Sequence, residues 1–256
     1  MYKKNLSILF LCVLLYSCLD SQGSGKRYPI EQTHGHHHNH EDHEDHDHET
    51  SYESPLGVNN PIKGMSTGKQ DAFSSDNRDL WQRPDLIIYH LGNLEGKTMA
   101  DVGAGPVGYF SFIVAANTNV KKVLALDIDE DAIAFMDEMK IKTKNLLGDK
   151  IETRLVKPED PLLIDKEVEV ILISSTLTYI KNKIAYLKDL RNKMPVGGRL
   201  VIVDYKMKEI PDFFPTRDQR IPLYEMEDLI DKAGFKRIVT DDTTLKYQYI
   251  VVALNP

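Results

Sequence analysis

The stretch from Lys97 to Phe112, KTMADVGAGPVGYFSF, constrains the fold more than any other part of the chain. Thr98, Met99, Ala100 and Val102 have strand character, and Asp101 stands near the carboxyl end of that strand. Gly103, Gly105 and Gly108 then form G-x-G-x-x-G, with Pro106 where a helix can begin. Glycines at such a turn let the backbone bend tightly and approach a ligand without a clashing Cβ. An acid just before them can accept hydrogen bonds from a ligand hydroxyl or ammonium. The glycine pattern is a weak signal alone, so its meaning depends on the surrounding elements.

Those elements alternate. Pro84 suits the first position of a helix whose face is Leu86, Ile87, Tyr89 and Leu91. After the turn, residues 107 to 116 read as a helix and Lys122 to Asp127 as a second strand. Asp129 can cap the next helix, where Ala132, Phe135, Met136 and Met139 recur at helical spacing as core residues. Strands follow at residues 151–156, 167–174 and 199–205. Between the last two lies an amphipathic helix marked by Ile180, Ile184, Leu187, Leu190 and Met194, stopped by Pro195-Val196-Gly197-Gly198. A helix over residues 223–233 ends at Gly234, and residues 235–240 and 245–254 make two closing strands. Alternating strands and helices require a parallel sheet with right-handed crossovers. The expected fold is therefore α/β: a Rossmann-like, doubly wound, mostly parallel seven-stranded sheet with an antiparallel C-terminal hairpin over Asp241 to Thr244.

The N-terminus has a different character. Lys3 and Lys4 precede an eleven-residue apolar run from Leu6 to Tyr16, too short to span a bilayer comfortably and typical of a secretory signal. Leu15-Tyr16-Ser17-Cys18 resembles a bacterial lipobox. That resemblance implies a signal peptide over residues 1–17 and a lipidated Cys18 anchoring the protein in the bacterial cell envelope; a plain signal or short anchor is the alternative. Loss of Lys3 and Lys4 takes the net charge from −7 to −9, which argues against nucleic-acid binding through a basic surface. Cys12 and Cys18 are the two cysteines, so the domain has neither a disulfide framework nor thiol chemistry. Residues 18–66 read as a disordered tether rich in His and Asp, and the folded domain as residues 67–256. His34, His36, His37, His38, His40, His43, His46 and His48 crowd into fifteen tether residues among Glu41, Asp42, Glu44, Asp45 and Asp47. Imidazole with flanking carboxylates suits Zn, Ni or Cu, whereas a solvated polar linker is the plainer reading.

With these residues placed, the domain resembles the class I S-adenosylmethionine-dependent methyltransferases over roughly residues 76–256. Asp101-Val102-Gly103-Ala104-Gly105 is similar to their first motif, and Asp127 to the acid that holds the donor's ribose. Met194 to Leu200, MPVGGRL, is similar to their turn before the fifth strand. Trp81-Gln82-Arg83-Pro84 ahead of the glycine turn resembles a small-molecule subgroup related to the quinone-modifying type. The resemblance implies Asp101, Gly103, Ala104 and Gly105 at the donor's methionine part, and Asp127 with Ile128 at its ribose. It also implies Glu159 or Asp160 near the adenine and Ser175 near the methyl group. Tyr179 is the candidate to touch the acceptor, with Asp204 or Tyr205 next; a packing role at a helix start is the alternative for Tyr179. Trp81 fits a packed cap as well as a lid. The family usually has a glycine where Val107 stands, which would place a branched side chain near the donor or lengthen the turn. Relatives often carry histidines after the fourth strand, where this chain has Leu177-Thr178-Tyr179, and it has no Asn-Pro-Pro-Tyr.

Two functions compete on these grounds. One is methyl transfer from S-adenosylmethionine to a small-molecule acceptor by a membrane-tethered domain. The other is a catalytically inactive, methyltransferase-like, metal-binding lipoprotein, motivated by Val107 and by the absence of an obvious methyl-donor supply outside the cytoplasm. The oligomeric state leaves no mark in the sequence.

Overall fold

The protein is described here from a computed structural model, which describes residues 58–62, 78–210 and 215–256. The signal peptide, Cys18 and all eight tract histidines lie outside the described residues. Helices α1 (Arg78–Gln82) and α2 (Pro84–Leu91) precede β1 (Thr98–Val102), α3 (Tyr109–Asn117) and β2 (Lys122–Asp127). Next come α4 (Glu130–Leu147), β3 (Ile151–Leu155), β4 (Val170–Ser174), α5 (Lys183–Asn192) and β5 (Arg199–Tyr205). The chain closes with α6 (Leu223–Lys232), β6 (Lys236–Asp241) and β7 (Gln248–Leu254).

The seven strands form one sheet in the order β3-β2-β1-β4-β5-β7-β6. All pairings are parallel except those of β7, which runs antiparallel to both β5 and β6. Winding starts at β1, proceeds outward through β2 and β3, then returns to β4 on the other side of β1. The carboxyl ends of β1 and β4 therefore part at the switch point, where open α/β sheets bind ligands.

Alternation along each strand fills two cores. Met99, Val123, Leu172, Val201 and Val252 pack with Ile87 of α2, Phe112 of α3 and Met136 and Met139 of α4. Ala100, Leu124, Ile171, Ile202 and Val251 pack on the other face with Leu187 of α5 and Met226 and Ile230 of α6. Both methionines of α4 are thus core residues, each burial contributing about 1.5–3 kcal/mol. Asp129 caps α4 by accepting the Asp131 N–H.

Several boundaries differ from the sequence reading: β7 starts at Gln248 rather than residue 245, β6 is shifted by one residue and β3 and α6 end one residue early, and three further differences have a visible cause. Helix α3 starts at Tyr109 rather than residue 107, because Gly108 takes φ 63° and ψ 36°, outside the right-handed helix. β4 starts at Val170 rather than residue 167, because the Glu167 carboxylate turns aside to Arg154 (2.9 and 3.1 Å) and to the Ile164 N–H (2.8 Å). The third difference is the expected end of the tether at residue 66. Ile62 is buried in the core, and the Asn117 side chain both accepts the Asn59 N–H and donates to the Asn59 carbonyl. Residues 58–62 thus belong to the packed unit. Among the described residues, no helix is long and apolar enough to cross a membrane.

Candidate active site

A cavity of about 260 Å³ opens at the switch point. Its walls come from the ends of four strands: Asp101 to Gly105 after β1, Asp127 and Ile128 after β2, residues 156–158 after β3, and residues 174–176 after β4. Helix α1 and the turn before α5 close the sides with Arg78 and Tyr179.

The glycine turn is held in place before any ligand arrives. The N–H groups of Gly103 and Ala104 both donate to the Leu126 carbonyl at 2.9 Å. Gly105 has φ 76°, and its N–H donates to Asp127 Oδ2 at 2.7 Å. The other oxygen of Asp127 accepts the Asp129 N–H at 3.0 Å. Nothing lies within 4 Å of where a Gly105 Cβ would sit, so the turn presents bare backbone to open space. Gly108 has a different task. A Cβ there would meet Met136 Sδ at 2.6 Å, so this glycine permits close approach of α3 and α4. Val107 is buried in the core below the turn and is absent from the cavity wall. The branched side chain of Val107 therefore does not reach the cavity.

Asp101 is fully buried, and its Oδ2 accepts the Ser111 hydroxyl at 2.7 Å. Burial pushes its carboxyl up to about 6, opposed by the Ser111 hydroxyl and the Arg78 guanidinium. Burial also raises Asp127, against the backbone N–H groups it accepts. Arg78 itself is positioned by a relay. Its Nε donates to Gln82 Oε1 at 2.6 Å, Gln82 Nε2 donates to Ser174 Oγ at 3.3 Å, and the guanidinium stacks 3.8 Å from the Tyr109 ring centre. An acid and a guanidinium thus share one end of the cavity, the arrangement a zwitterionic α-amino acid group requires.

Ser175 follows β4 with φ 56°, a left-handed backbone that a non-glycine residue adopts at a cost of about 1–3 kcal/mol. Its N–H donates to the Val203 carbonyl at 2.8 Å, and its hydroxyl accepts Gln248 Nε2 at 3.0 Å. Tyr179 sits on a 3-10 turn, Leu177–Tyr179, 60% exposed along the cavity wall. Burial of the remainder, then the charge of Asp204, raises its hydroxyl above the usual phenol range. Asp204 is fully buried one residue before the end of β5; burial pushes it up to about 7.

The cavity thus brings together Asp101, Gly103, Ala104, Gly105, Asp127, Ile128, Ser175 and Tyr179. Glu159 and Asp160 are not on its wall. Glu159 accepts the N–H groups of Lys181 and Asn182, tying the loop after β3 to the segment before α5, and Asp160 accepts that of Leu162 within the loop, while Val156, Lys157 and Pro158 face the cavity. Arg78 carried no sequence signal of its own, since a single arginine in a five-residue helix shows no periodicity.

A doubly wound sheet of this order, with a glycine turn, a buried acid near the end of β1 and a half-buried one ending β2, is an α/β domain of the Rossmann-like methyltransferase type. A family model described as a methyltransferase domain matches residues 93–244, more than half of the chain, and the chain belongs to that family. Among solved structures, an S-adenosylmethionine-dependent methyltransferase from Aquifex aeolicus is similar at 23% identity and TM-score 0.62, covering 71% of this chain and 94% of that one. The [4+2]-cyclase SpnF is similar at 13% identity and TM-score 0.62, covering 73% and 85%. Geranyl diphosphate methyltransferase, solved with its diphosphate and sinefungin, is similar at 14% identity and TM-score 0.56, covering 68% and 78%. A search of curated proteins finds no match. That the same fold carries a cyclase shows why the reaction must be argued from the site.

Proposed function

We propose that the domain transfers a methyl group from S-adenosylmethionine to a small-molecule acceptor. One observation carries this reading: bare Gly105 backbone, a buried acid and a guanidinium converge on one cavity at the switch point. Asp101 and Arg78 would hold the amino and carboxylate groups of the donor's methionine part, and Asp127 its ribose hydroxyls. The bound donor supplies an electrophilic methyl on a sulfonium. The chain's own work is alignment and exclusion of water by Phe110, Ile180 and Tyr186 along the wall. Isothermal titration of the full chain with S-adenosylmethionine and S-adenosylhomocysteine tests this reading. Saturable binding of both is expected; no heat and no thermal protection from either would remove it.

The proposal extends to location. Cys18 is the anchor, placing the domain on a membrane of the bacterial envelope. Metabolic labelling with a radioactive fatty acid, lost in Cys18→Ala, is the expected result. The histidine tract, eight imidazoles in fifteen residues, favours low-specificity capture of Zn, Ni or Cu as a second activity, or as the working part of an inactive relative. Zinc retained by the full chain and lost on deletion of residues 34–48 supports metal capture. If donor binding is absent as well, the inactive reading replaces the enzymatic one.

A further inference from the structure

A second opening lies along the same carboxyl edge of the sheet as the donor cavity. It is a groove of about 620 Å³, lined by Lys208 and Glu209 after β5, Arg217 and Arg220 before α6, and Lys246 and Tyr247 before β7. β7 runs antiparallel to β5, so its start stands beside the end of β5, where such sheets take ligands. Two contacts join the groove to the donor cavity. Arg217 to Gln219 form a 3-10 turn, and the Gln219 carbonyl accepts the hydroxyl of Thr178, next to Tyr179 of the cavity wall. The Tyr247 ring lies 6.4 Å, centre to centre, from that of Trp81, whose neighbour Gln82 donates to Ser174 of the cavity wall at 3.3 Å.

Four of the six residues are cations, in a chain of net charge −7, and Glu209 is the one carboxylate among them. None of the four pairs with a carboxylate among the described residues. Arg220 donates instead to three backbone carbonyls, those of Pro215 (2.9 Å), Lys206 (3.1 Å) and Lys208 (2.7 Å). Its guanidinium is thereby fixed without its charge being neutralised. Lys208 Nζ donates to the Lys246 carbonyl at 3.1 Å, and the Lys208 and Lys246 ammoniums lie 6.0 and 5.1 Å from the Tyr247 ring centre. Arg217 is exposed on a turn fixed by a capping box between Thr216 and Gln219. Elsewhere, Arg83, Arg154 and Arg237 each bind a carboxylate. Like charges gathered in one groove repel, and a bound anion relieves that repulsion.

We propose that this groove holds a phosphate group of the methyl acceptor, so that the acceptor is a phosphate ester. The inference rests on the methyl-transfer reading above and names the class of its second substrate. Two guanidiniums supply forks that match phosphate oxygens, and two ammoniums add point charges. A phosphate monoester carries about −1.5 to −2 near neutral pH, so it answers this excess of positive charge better than the single charge of a carboxylate. The phosphate belongs to a soluble monoester or to a lipid headgroup, and the groove's chemistry suits both. With that end held, the rest of the acceptor extends along the sheet edge toward Tyr179 and the donor.

The full chain, saturated with S-adenosylhomocysteine, is titrated calorimetrically with glycerol 3-phosphate, a soluble monoester. A second titration uses dihexanoyl phosphatidylglycerol below its micelle concentration, a lipid headgroup in soluble form. At least one is expected to bind saturably, and more weakly as salt is raised; the tighter of the two names the source. The charged and titratable groups facing the phosphate are Lys208, Glu209, Arg217, Arg220, Lys246 and Tyr247. Glycerol 3-phosphate should bind more tightly as its second proton leaves near pH 6. Anion capture by the histidine tract runs the other way, since imidazoles lose charge as pH rises. Arg217→Gln combined with Lys246→Gln, both exposed positions, is expected to weaken the ester at least tenfold while S-adenosylhomocysteine affinity stays within twofold. No saturable binding of either ester, binding untouched by the double substitution, or a glycerol 3-phosphate affinity that is flat or falls with rising pH overturns the proposal. Should the double variant lose S-adenosylhomocysteine, the wild-type pH dependence decides. The acceptor role is read from the product. Given methyl-tritiated S-adenosylmethionine and a bacterial extract, the full chain should label a compound whose phosphate is removed by alkaline phosphatase or, for a lipid, by phospholipase C. A labelled compound without phosphate, or no labelled compound from a chain that binds the donor, overturns that role. If the wild-type chain fails to bind S-adenosylhomocysteine yet binds an ester, the methyl-transfer reading falls, and the groove is an anion site with no acceptor role.

Discussion

Replacing Asp101 by Asn should make the empty domain more stable and the donor site worse. Asp101 titrates at about 6 in the fold against an ordinary 3.8, because burial outweighs the Ser111 hydroxyl and Arg78. One pH unit corresponds to about 1.4 kcal/mol, so the ionised carboxylate costs the ligand-free fold about 3 kcal/mol. The sign follows from the raised value. The penalty is absent below pH 3.8, grows as pH rises toward 6, and is complete above it. Asn is neutral, of the same shape, and keeps an oxygen for the Ser111 hydroxyl. The variant is therefore expected to gain about 2–3 kcal/mol at pH 8, roughly 5–10 °C in Tm, and close to nothing at pH 4. Urea unfolding of the full chain at both pH values measures this. Titration with S-adenosylhomocysteine supplies the other half, with affinity falling at least tenfold, since a carboxylate–ammonium contact becomes a neutral one. An Asn variant that is no more stable than wild type at pH 8 would refute the reasoning, because the carboxylate would then be compensated within the fold.

The glycines of the turn should separate by what faces them. Gly103→Ala places a Cβ 2.3 Å from Thr176 Oγ1 at φ 72°, so about 2–4 kcal/mol of stability should be lost in thermal unfolding. Gly105→Ala meets no atom within 4 Å and should cost only about 1–2 kcal/mol, yet weaken S-adenosylhomocysteine at least tenfold, because the methyl stands at the cavity wall. Val107→Ala should lose about 2 kcal/mol from the core with donor affinity unchanged by titration; a changed affinity would mean that Val107 reaches the ligand after all.

Much of this was legible from residue order, for identifiable reasons. β2 and β5 match their expected spans because short apolar runs are bounded sharply, by Asp127 on one side and by Gly198 and Lys206 on the other. The place of Asp101 and Asp127 on the cavity wall was readable because each stands at a strand end beside the glycine turn. The insertion of β7 between β5 and β6 was not, since a hairpin pattern specifies which strands pair and leaves open which of them meets the sheet. Nor were the roles of the three glycines distinguishable in sequence, because what opposes each one, Thr176, open space or Met136, comes from a distant element. Arg78 and Gln248 reach the site through long-range contacts, so no local spacing betrays them. Glu159 and Asp160 stand off the cavity wall for the opposite reason: acids in the expected loop were read as ligand contacts, but Glu159 accepts backbone N–H groups of the segment before α5 and Asp160 one of its own loop.

The double engagement of Asp127 has a kinetic consequence. One carboxylate oxygen secures Gly105 and the other secures Asp129, so the phosphate-free cradle is already shaped when a nucleoside collides with it. Capture then needs no ordering of the turn, and the entropic toll of binding falls mainly on the ligand. Losing this carboxylate would do two injuries at once, removing the proposed sugar contact and loosening the loop. Combined with a deoxyribose analogue of the ligand, the substitution should give penalties that fail to add, and the excess would measure the stiffness that one side chain lends the site.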